Sequence, residues 1–324
     1  MEKYIEDFNF FIQILKSDHP YNNLINFSDL NFDYKNIKDE NSFIYFMKYI
    51  EKKLSNQEIG HFSIYPNTEI IKNSFLNSTY MEIKKIIKTS KNFEEYNLSN
   101  NIFRQPKKYL EIKEISSDSL LIILRSCEQK YINNTIEKAE ELKYNEKIHP
   151  HKNIYFDLRD NSGGHPIIWE ILLSIFYNKK VQQKTVDYIK ITETNKNQIM
   201  DLINIYKSTA KKITKNIYKI ETKTIYDLKK INKQIYNKYN ISIIINNKTF
   251  SAAECFVQYA KISKFKIYGD ENSGGCGIGI KDQLYYVLPN SKLLFCFESC
   301  FNHEKLKGTK PNHKLEELKN LKII

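Results

Sequence analysis

The sequence lacks any long hydrophobic run and any N-terminal segment of the kind that directs secretion. Its longest apolar candidate, residues 167–177, is interrupted by Glu170 and is shorter than the roughly 18 residues that a membrane-spanning helix requires. Acidic residues stand at positions 2, 6 and 7, where a signal peptide would carry basic ones. We therefore expect a cytoplasmic protein that has no membrane partner.

Cysteine is scarce, and its pattern excludes two further classes of protein. There are five cysteines, an odd number, and no two of them form a Cys-x-x-Cys pair. This pattern indicates free thiols in a reducing compartment. The seven histidines do not fall at zinc-ligand spacing from those cysteines, so the sequence predicts no metal site.

Glycine and proline are also few, with nine and seven residues. These counts exclude collagen-like and low-complexity architectures. With 41% hydrophobic and 13% aromatic residues, the chain can form a substantial core, which excludes a mainly disordered protein.

Arginine is nearly absent, since only three of the 50 basic residues are arginine. Arginine is the preferred bidentate reader of phosphates and bases. The net charge of +12 is moreover localised, because residues 179–240 hold 15 lysines against five acidic residues and the remainder is nearly neutral. We therefore expect this basic segment to be a solvated helical surface and nucleic acid not to be a partner.

Apolar periodicity divides the chain into two parts. In residues 1–105, helical spacing and one extended piece around residues 61–65 predict an N-terminal helical lobe, with helices at 3–17, 41–54 and 79–95. Residues 106–324 alternate between strands and helices, which predicts an α/β core. The predicted strands are 109–112, 120–124, 153–158, 241–245 and 265–268; the predicted helices are 132–145, 166–178 and 252–262; a hairpin is predicted over 283–298. The lysine-rich residues 179–240 interrupt this core and are expected to form an inserted helical cap.

The first segment with chemical potential is residues 154–164, which read Ile-Tyr-Phe-Asp-Leu-Arg-Asp-Asn-Ser-Gly-Gly. A buried strand here enters a polar turn and then a helix. Glycines let a substrate approach the main chain, and backbone N–H groups can then stabilise a developing negative charge. A plain strand–helix turn explains the pattern equally well.

The second such segment, residues 243–254, is a strand followed by a turn and Ser-Ala-Ala-Glu. Ser251 would lie at the positive end of a helix dipole, which favours an alkoxide or oxyanion. The same Ser-x-x-Glu spacing is a capping box, with Ser251 as N-cap and Glu254 as its reciprocal partner. On spacing alone, the capping interpretation is favoured.

In combination and in this order, residues 157–164, residues 246–254 and Gly-Asp-Glu-Asn-Ser-Gly-Gly at 269–275 resemble the C-terminal-processing (tail-specific) serine peptidase family. The resemblance covers residues 105–315 and extends more weakly to His19-Pro20 and Gly60-His61. It implies an α/β fold, with a crotonase-like (ClpP-like) β-sheet core flanked by helices, an N-terminal helical lobe and the inserted cap.

The resemblance also implies a role for each matching residue. Ser251 matches the nucleophile, and Glu254 would orient a catalytic partner. The N–H of Ala252 would contribute one half of an oxyanion hole, and that of Gly163 or Gly164 the other.

Two branches of this family differ in their general base. One branch uses a lysine at the position where this chain has Cys276. We expect Cys276 to be a small buried thiol. The other, which includes tricorn-core and nisin-resistance-type peptidases, uses a histidine in a Gly-His turn, and His61 follows Gly60 in this way. A neutral imidazole is a suitable base near pH 7. We therefore expect His61 to be the base and keep His165 as the alternative.

The function implied is serine-type hydrolysis of peptide bonds through an acyl-enzyme, without a metal or other cofactor. The expected partner is an unstructured peptide or protein terminus, and the basic segment favours an acidic one. A non-enzymatic ligand- or peptide-binding protein on the same fold is the alternative, because loss of the lysine also fits a protein without peptidase chemistry.

Overall fold

The computed structural model describes residues 1–33, 35–55, 57, 59–75, 80–93, 108–233, 238–320 and 322–324. The chain forms two units. One comprises Met1–Phe103, Val186–Thr222 and Ile280–Asn302, and the other Arg104–Thr185, Lys223–Gly279 and His303–Ile324. The expected continuous division at residue 105 therefore differs from these units, because the first unit takes in two later segments. Residue 105 itself lies outside the described residues.

The first unit contains helices packed with a three-stranded antiparallel sheet, in which the strand 294–298 lies between the strands 62–65 and 283–287. Phe11 is fully buried, with its ring 5.9 Å from that of Phe62 and 5.2 Å from that of Phe295. The helices predicted at 3–17 and 41–54 and the hairpin predicted over 283–298 are confirmed. The helix predicted over 79–95 is shorter, since it spans Met81–Thr89, and residues 79, 94 and 95 lie outside the described residues. The elements are α1 (Glu2–Asp18), α2 (Glu40–Ser55), β1 (Phe62–Tyr65), α3 (Glu69–Ser74), α4 (Met81–Thr89), β10 (Gln283–Val287) and β11 (Leu294–Glu298).

The second unit is built on a five-stranded sheet, whose edge strand 110–116 is antiparallel to its neighbour and whose other strands are parallel. In spatial order, the strands follow their order along the chain. Buried aromatic residues form its core, where the Trp169 ring stacks 4.9 Å from that of Phe256. The strands are β2 (Leu110–Ser116), β3 (Ser119–Leu124), β4 (Asn153–Asp157), β8 (Asn240–Ile244) and β9 (Lys266–Tyr268). The helices are α5 (Ile132–Ile148), α6 (Ile167–Ser174), α8 (Ala252–Ile262), α9 (His303–Leu306) and α10 (Leu315–Asn320). The predicted α/β core is confirmed.

The expected helical cap at 179–240 is wrong, because this segment contains three β-strands and only one α-helix within its described residues. It contains β5 (Lys180–Lys190), α7 (Lys196–Ile205), β6 (Ala210–Thr214) and β7 (Ile217–Asp227), and the strands form a sheet of order β5-β7-β6. The strands are rich in Thr, Ile, Val and Tyr, whose branched or aromatic side chains favour extended backbone. Alternating lysines on an exposed strand resemble a solvated helix face in composition alone.

None of the helices within the described residues is both long and apolar enough to cross a membrane.

Candidate active site

A loop of residues 158–166 connects β4 to α6, and Asn161 organises it. This side chain is fully buried; its amide donates to the carbonyl of Leu124 (3.0 Å), and its Oδ1 accepts from the N–H of Gly163 (2.9 Å). The carbonyl of Asn161 accepts from the N–H of Phe250, just before Ser251 (2.9 Å). Because parallel strands end at the same sheet edge, the loop after β4 and the turn after β8 meet here.

Gly163 and Gly164 both have left-handed backbone, with φ of 101° and 131°. A Cβ atom on Gly163 would lie 2.7 Å from Cβ of Ser251, and one on Gly164 would lie 2.2 Å from the carbonyl oxygen of Cys127. Only glycine fits at either position, because both contacts are far inside van der Waals distance. The loop therefore approaches the backbone at Ser251 as closely as a main chain can.

Ser251 has an unusual backbone conformation, with φ of 56° and ψ of −115°. Such a conformation costs a non-glycine residue about 1–3 kcal/mol and is found mostly at functional sites. The residue is held there because its N–H donates to the carbonyl of Gly275 (3.0 Å) and its own carbonyl accepts from the N–H of Cys255 (2.9 Å). The half-buried serine thus lies in a sharp strand-to-helix turn at the N-terminus of α8.

The capping box considered for Ser251 and Glu254 does not form. Within the described part of the chain, the Ser251 side chain makes no capping hydrogen bond to α8. The Glu254 carboxylate accepts instead from Thr309 Oγ1 (2.7 Å) and Gln258 Nε2 (2.9 Å). Burial raises the pKa of Glu254, against the opposing effect of hydrogen bonds from Ser273, Thr309 and Gln258. Helix capping therefore does not explain the strained backbone of Ser251.

Two backbone N–H groups beside Ser251 lack a protein acceptor among the described residues, those of Ala252 and Gly164. The N–H of Gly163, in contrast, is already donated to Asn161. Backbone N–H groups left without acceptors are costly unless they serve a ligand or water. This region can therefore donate two hydrogen bonds to a negatively charged oxygen.

His61 lies in the first unit, and it is held by a buried carboxylate. Its Nδ1 is 2.7 Å from Oε1 of Glu298, and its backbone N–H donates to the same oxygen (3.1 Å). Glu298 is only 1% exposed at the end of β11. Gly60 has φ of 92°, and a Cβ there would lie 3.0 Å from Cδ of Glu298, so the Gly-His turn fits around the carboxylate. Because a carboxylate only accepts, this contact favours the neutral tautomer that carries its proton on Nδ1 and its lone pair on Nε2.

Glu298 is a candidate residue that the sequence analysis did not single out, whereas Glu254, expected to orient a catalytic partner, contacts Thr309 and Gln258. The only local signal for Glu298 was an acidic residue that ends the otherwise apolar run 293–297. Such a residue on a fully buried strand is costly unless it is paired. Its partner is 237 positions away in sequence, which no local pattern indicates.

Two further candidates, Cys276 and His165, make hydrogen bonds with the backbone. Cys276 is fully buried, as expected of a small packed thiol, and its N–H donates to the carbonyl of Lys305 (2.7 Å). His165, the alternative base, accepts from the N–H of Ile167 through Nδ1 (3.2 Å), and its own N–H donates to the carbonyl of Cys127 (2.6 Å). The ring of His165 thus caps the start of α6.

Comparisons with known proteins concern the family and the fold of the chain. The family model described as peptidase family S41 matches residues 109–294. A lipoprotein from Streptococcus agalactiae is 15% identical in sequence, with 98% of this chain and 95% of that chain covered and a TM-score of 0.47. A protein from Parabacteroides merdae assigned to the peptidases is 12% identical, with 96% and 89% covered and a TM-score of 0.50. The photosystem II D1 C-terminal processing protease is 13% identical, with 65% and 49% covered and a TM-score of 0.42.

No curated protein sequence matches this one. The likeness to the Parabacteroides merdae structure concerns the fold alone, since the identity is low. The family model spans more than half of the chain, including both glycines of the loop and the strained serine. The expected resemblance is therefore confirmed: the chain belongs to peptidase family S41 and is a serine-type peptidase.

Proposed function

We propose that this peptidase cleaves unstructured peptides or chain termini through an acyl-enzyme on Ser251. The observation that carries the proposal is the strained turn at Ser251, next to two N–H groups that donate to no protein acceptor within the described residues. A strained serine between a strand and a helix is the arrangement that exposes a nucleophile in hydrolases. A structural serine would relax into an ordinary cap.

In the proposed mechanism, Nε2 of His61 takes the proton from Oγ of Ser251 as Oγ attacks the scissile carbonyl carbon. The imidazolium then donates this proton to the leaving amine nitrogen, the C–N bond breaks, and water attacks the acyl-enzyme with the same imidazole as base. The Glu298 carboxylate fixes the tautomer of His61 and stabilises the imidazolium while it exists. Orientation by Glu298 thus replaces the role first expected of Glu254.

The proposed oxyanion hole consists of the N–H groups of Ala252 and Gly164. Gly163 was expected as an alternative donor, but its N–H already donates to Asn161. Its contribution is its missing side chain, which allows the loop to reach Ser251. Glu254 supports the first turn of α8 through Thr309, so we assign it to the stability of the nucleophile's helix.

The proposed substrate is acidic, and the charge of the β6–β7 hairpin supports this choice. Residues 210–227, which form this hairpin, contain five lysines and two acidic residues. Lys211 lies directly opposite Lys219, whose ammonium forms an ion pair with Glu221 (2.8 Å). Lys211 and Lys212 are exposed, and within the described residues neither forms an ion pair with a carboxylate. A field of this sign accelerates encounter with acidic peptides over long range.

Hydrolysis of an unstructured peptide, followed by mass spectrometry, tests the proposal. The purified wild-type chain should produce defined fragments from an acidic peptide that has no secondary structure. Ser251→Ala should lose this activity and keep its thermal midpoint, whereas Cys276→Ala should retain most activity. Equal cleavage by wild type and Ser251→Ala would contradict the proposal.

A further inference from the structure

Two of the three arginines in the chain converge on one buried carboxylate, that of Asp157 at the end of β4. Arg125 donates from Nη2 to Oδ2 (2.7 Å), and Arg159 donates from Nε to Oδ1 (2.9 Å) and from Nη2 to Oδ2 (2.8 Å). Asp157 is only 1% exposed. Burial would raise its pKa, but the bonds from Arg159 and Arg125 outweigh burial and hold the pKa below its usual value. Arginine is rare in this chain, where 47 of the 50 basic residues are lysine. Two arginines at one carboxylate therefore indicate that the guanidinium group has a role there that lysine does not fill.

Arg125 does more than neutralise Asp157, because its second nitrogen holds the backbone. Nη1 donates to the carbonyl of Asp157 (3.1 Å) and to that of Arg159 (2.8 Å). The guanidinium therefore joins one carboxylate oxygen and two carbonyls at the point where the loop leaves β4. The Arg159 side chain donates to the same carboxylate, but within the described residues it donates to none of the loop carbonyls.

Arg125 also belongs to the segment that anchors the rest of this loop. Asn161 donates to the carbonyl of Leu124 (3.0 Å), and the N–H of Cys127 donates to the carbonyl of Gly163 (2.9 Å). The segment 124–127 thus holds the loop at three successive points: its start through Arg125, its middle through Leu124, and its glycines through Cys127. Only the first of these points depends on an ionic side chain.

We propose that Arg125 is a positioning residue that sets the start of the loop and thereby places the N–H of Gly164 for the oxyanion. The inference rests on the proposed function of that loop. Lysine cannot replace Arg125, because a single ammonium cannot donate in the directions of all three acceptors, whereas the planar guanidinium does so without rearrangement. Small displacements of groups that stabilise a transition state reduce the rate far more than they reduce substrate binding.

The test compares Arg125→Lys with Arg159→Lys, which removes a bond to the same carboxylate but none to the loop carbonyls. For Arg125→Lys we expect kcat to fall by about tenfold to a hundredfold with KM nearly unchanged. The affinity for a peptide boronic acid, which mimics the tetrahedral intermediate, should fall in parallel. Arg159→Lys should lower the thermal midpoint by a similar amount, with a clearly smaller effect on kcat and on boronate affinity.

Arg125→Ala with added guanidinium provides a second measurement, because the Arg125 side chain is 23% exposed and its space opens to solvent. Millimolar guanidinium should restore part of kcat, and ammonium at equal concentration should not. Equal kcat losses in both lysine variants, an unchanged boronate affinity, or the absence of selective guanidinium rescue would each overturn the inference. Loss of wild-type hydrolysis upon Ser251→Ala tests the proposed function separately, so the two can fail independently.

Discussion

Replacing Glu298 with glutamine keeps the shape of its side chain and removes its charge. Oε1 of Glu298 accepts from both the backbone N–H and Nδ1 of His61, and the carboxylate is 99% buried. Each hydrogen bond to a charged group in such surroundings contributes about 1.5–3 kcal/mol. The bond to Nδ1 strengthens when the imidazolium forms, and glutamine cannot supply that gain. We expect kcat to fall by roughly two to four powers of ten, with a smaller change in KM.

A matched control exists in the second unit. There the Nδ1 of His151 is 2.5 Å from Oε1 of Glu146, and the His151 backbone N–H donates to Oε2 (3.1 Å). Glu146→Gln should lower the thermal midpoint about as much as Glu298→Gln and leave kcat within about twofold of wild type. The assay is kcat and KM on an unstructured peptide, with differential scanning calorimetry of both variants. Retention of more than a tenth of kcat by Glu298→Gln would refute the role given to Glu298.

Three further outcomes are expected. Gly163→Ala should abolish hydrolysis in a peptide assay, since the new Cβ would lie 2.7 Å from Cβ of Ser251 at a φ of 101°. Acid should destabilise the first unit through His19, because burial lowers the pKa of this histidine from 6.5 to about 3. Between these two pH values the unfolded chain binds a proton at His19 and the folded chain does not, so the free energy of unfolding decreases as pH falls from 6.5 to about 3, by about 5 kcal/mol at most. His19→Asn should flatten this part of the pH profile of urea unfolding. Neutralising Lys211 and Lys212 with glutamine should reduce kcat/KM for an acidic peptide at low salt and weaken its salt dependence, while a basic peptide shows no such loss.

The elements predicted best were those with a strong period and clear ends. The spacing of Phe8, Phe11 and Ile14 predicted α1, and the apolar run before Asp157 predicted β4. The helix prediction for the lysine-rich segment was wrong, because lysine is compatible with any exposed surface. The Thr and Ile residues between the lysines favour strands.

The site was predictable as far as it is local in sequence. The two glycines and the serine lie in motifs of recognisable order, so their neighbourhood could be inferred. The partner of His61 could not, since Glu298 is brought to it by pairing between β1 and β11. The division of work between Gly163 and Gly164 also depends on one side chain, because Asn161 takes the N–H of Gly163. Which of the two N–H groups stays available depends on packing, and residue spacing does not predict it.

Covalent labelling with a fluorophosphonate probe, located by peptide mass spectrometry, tests the central claim most directly. The account predicts one adduct per chain, on Oγ of Ser251. That adduct should be absent in Ser251→Ala, slowed by orders of magnitude in His61→Ala, and nearly unaffected in Cys276→Ala. An adduct on a different serine, or peptide hydrolysis that continues while Ser251 is unmodified by the probe, would contradict it.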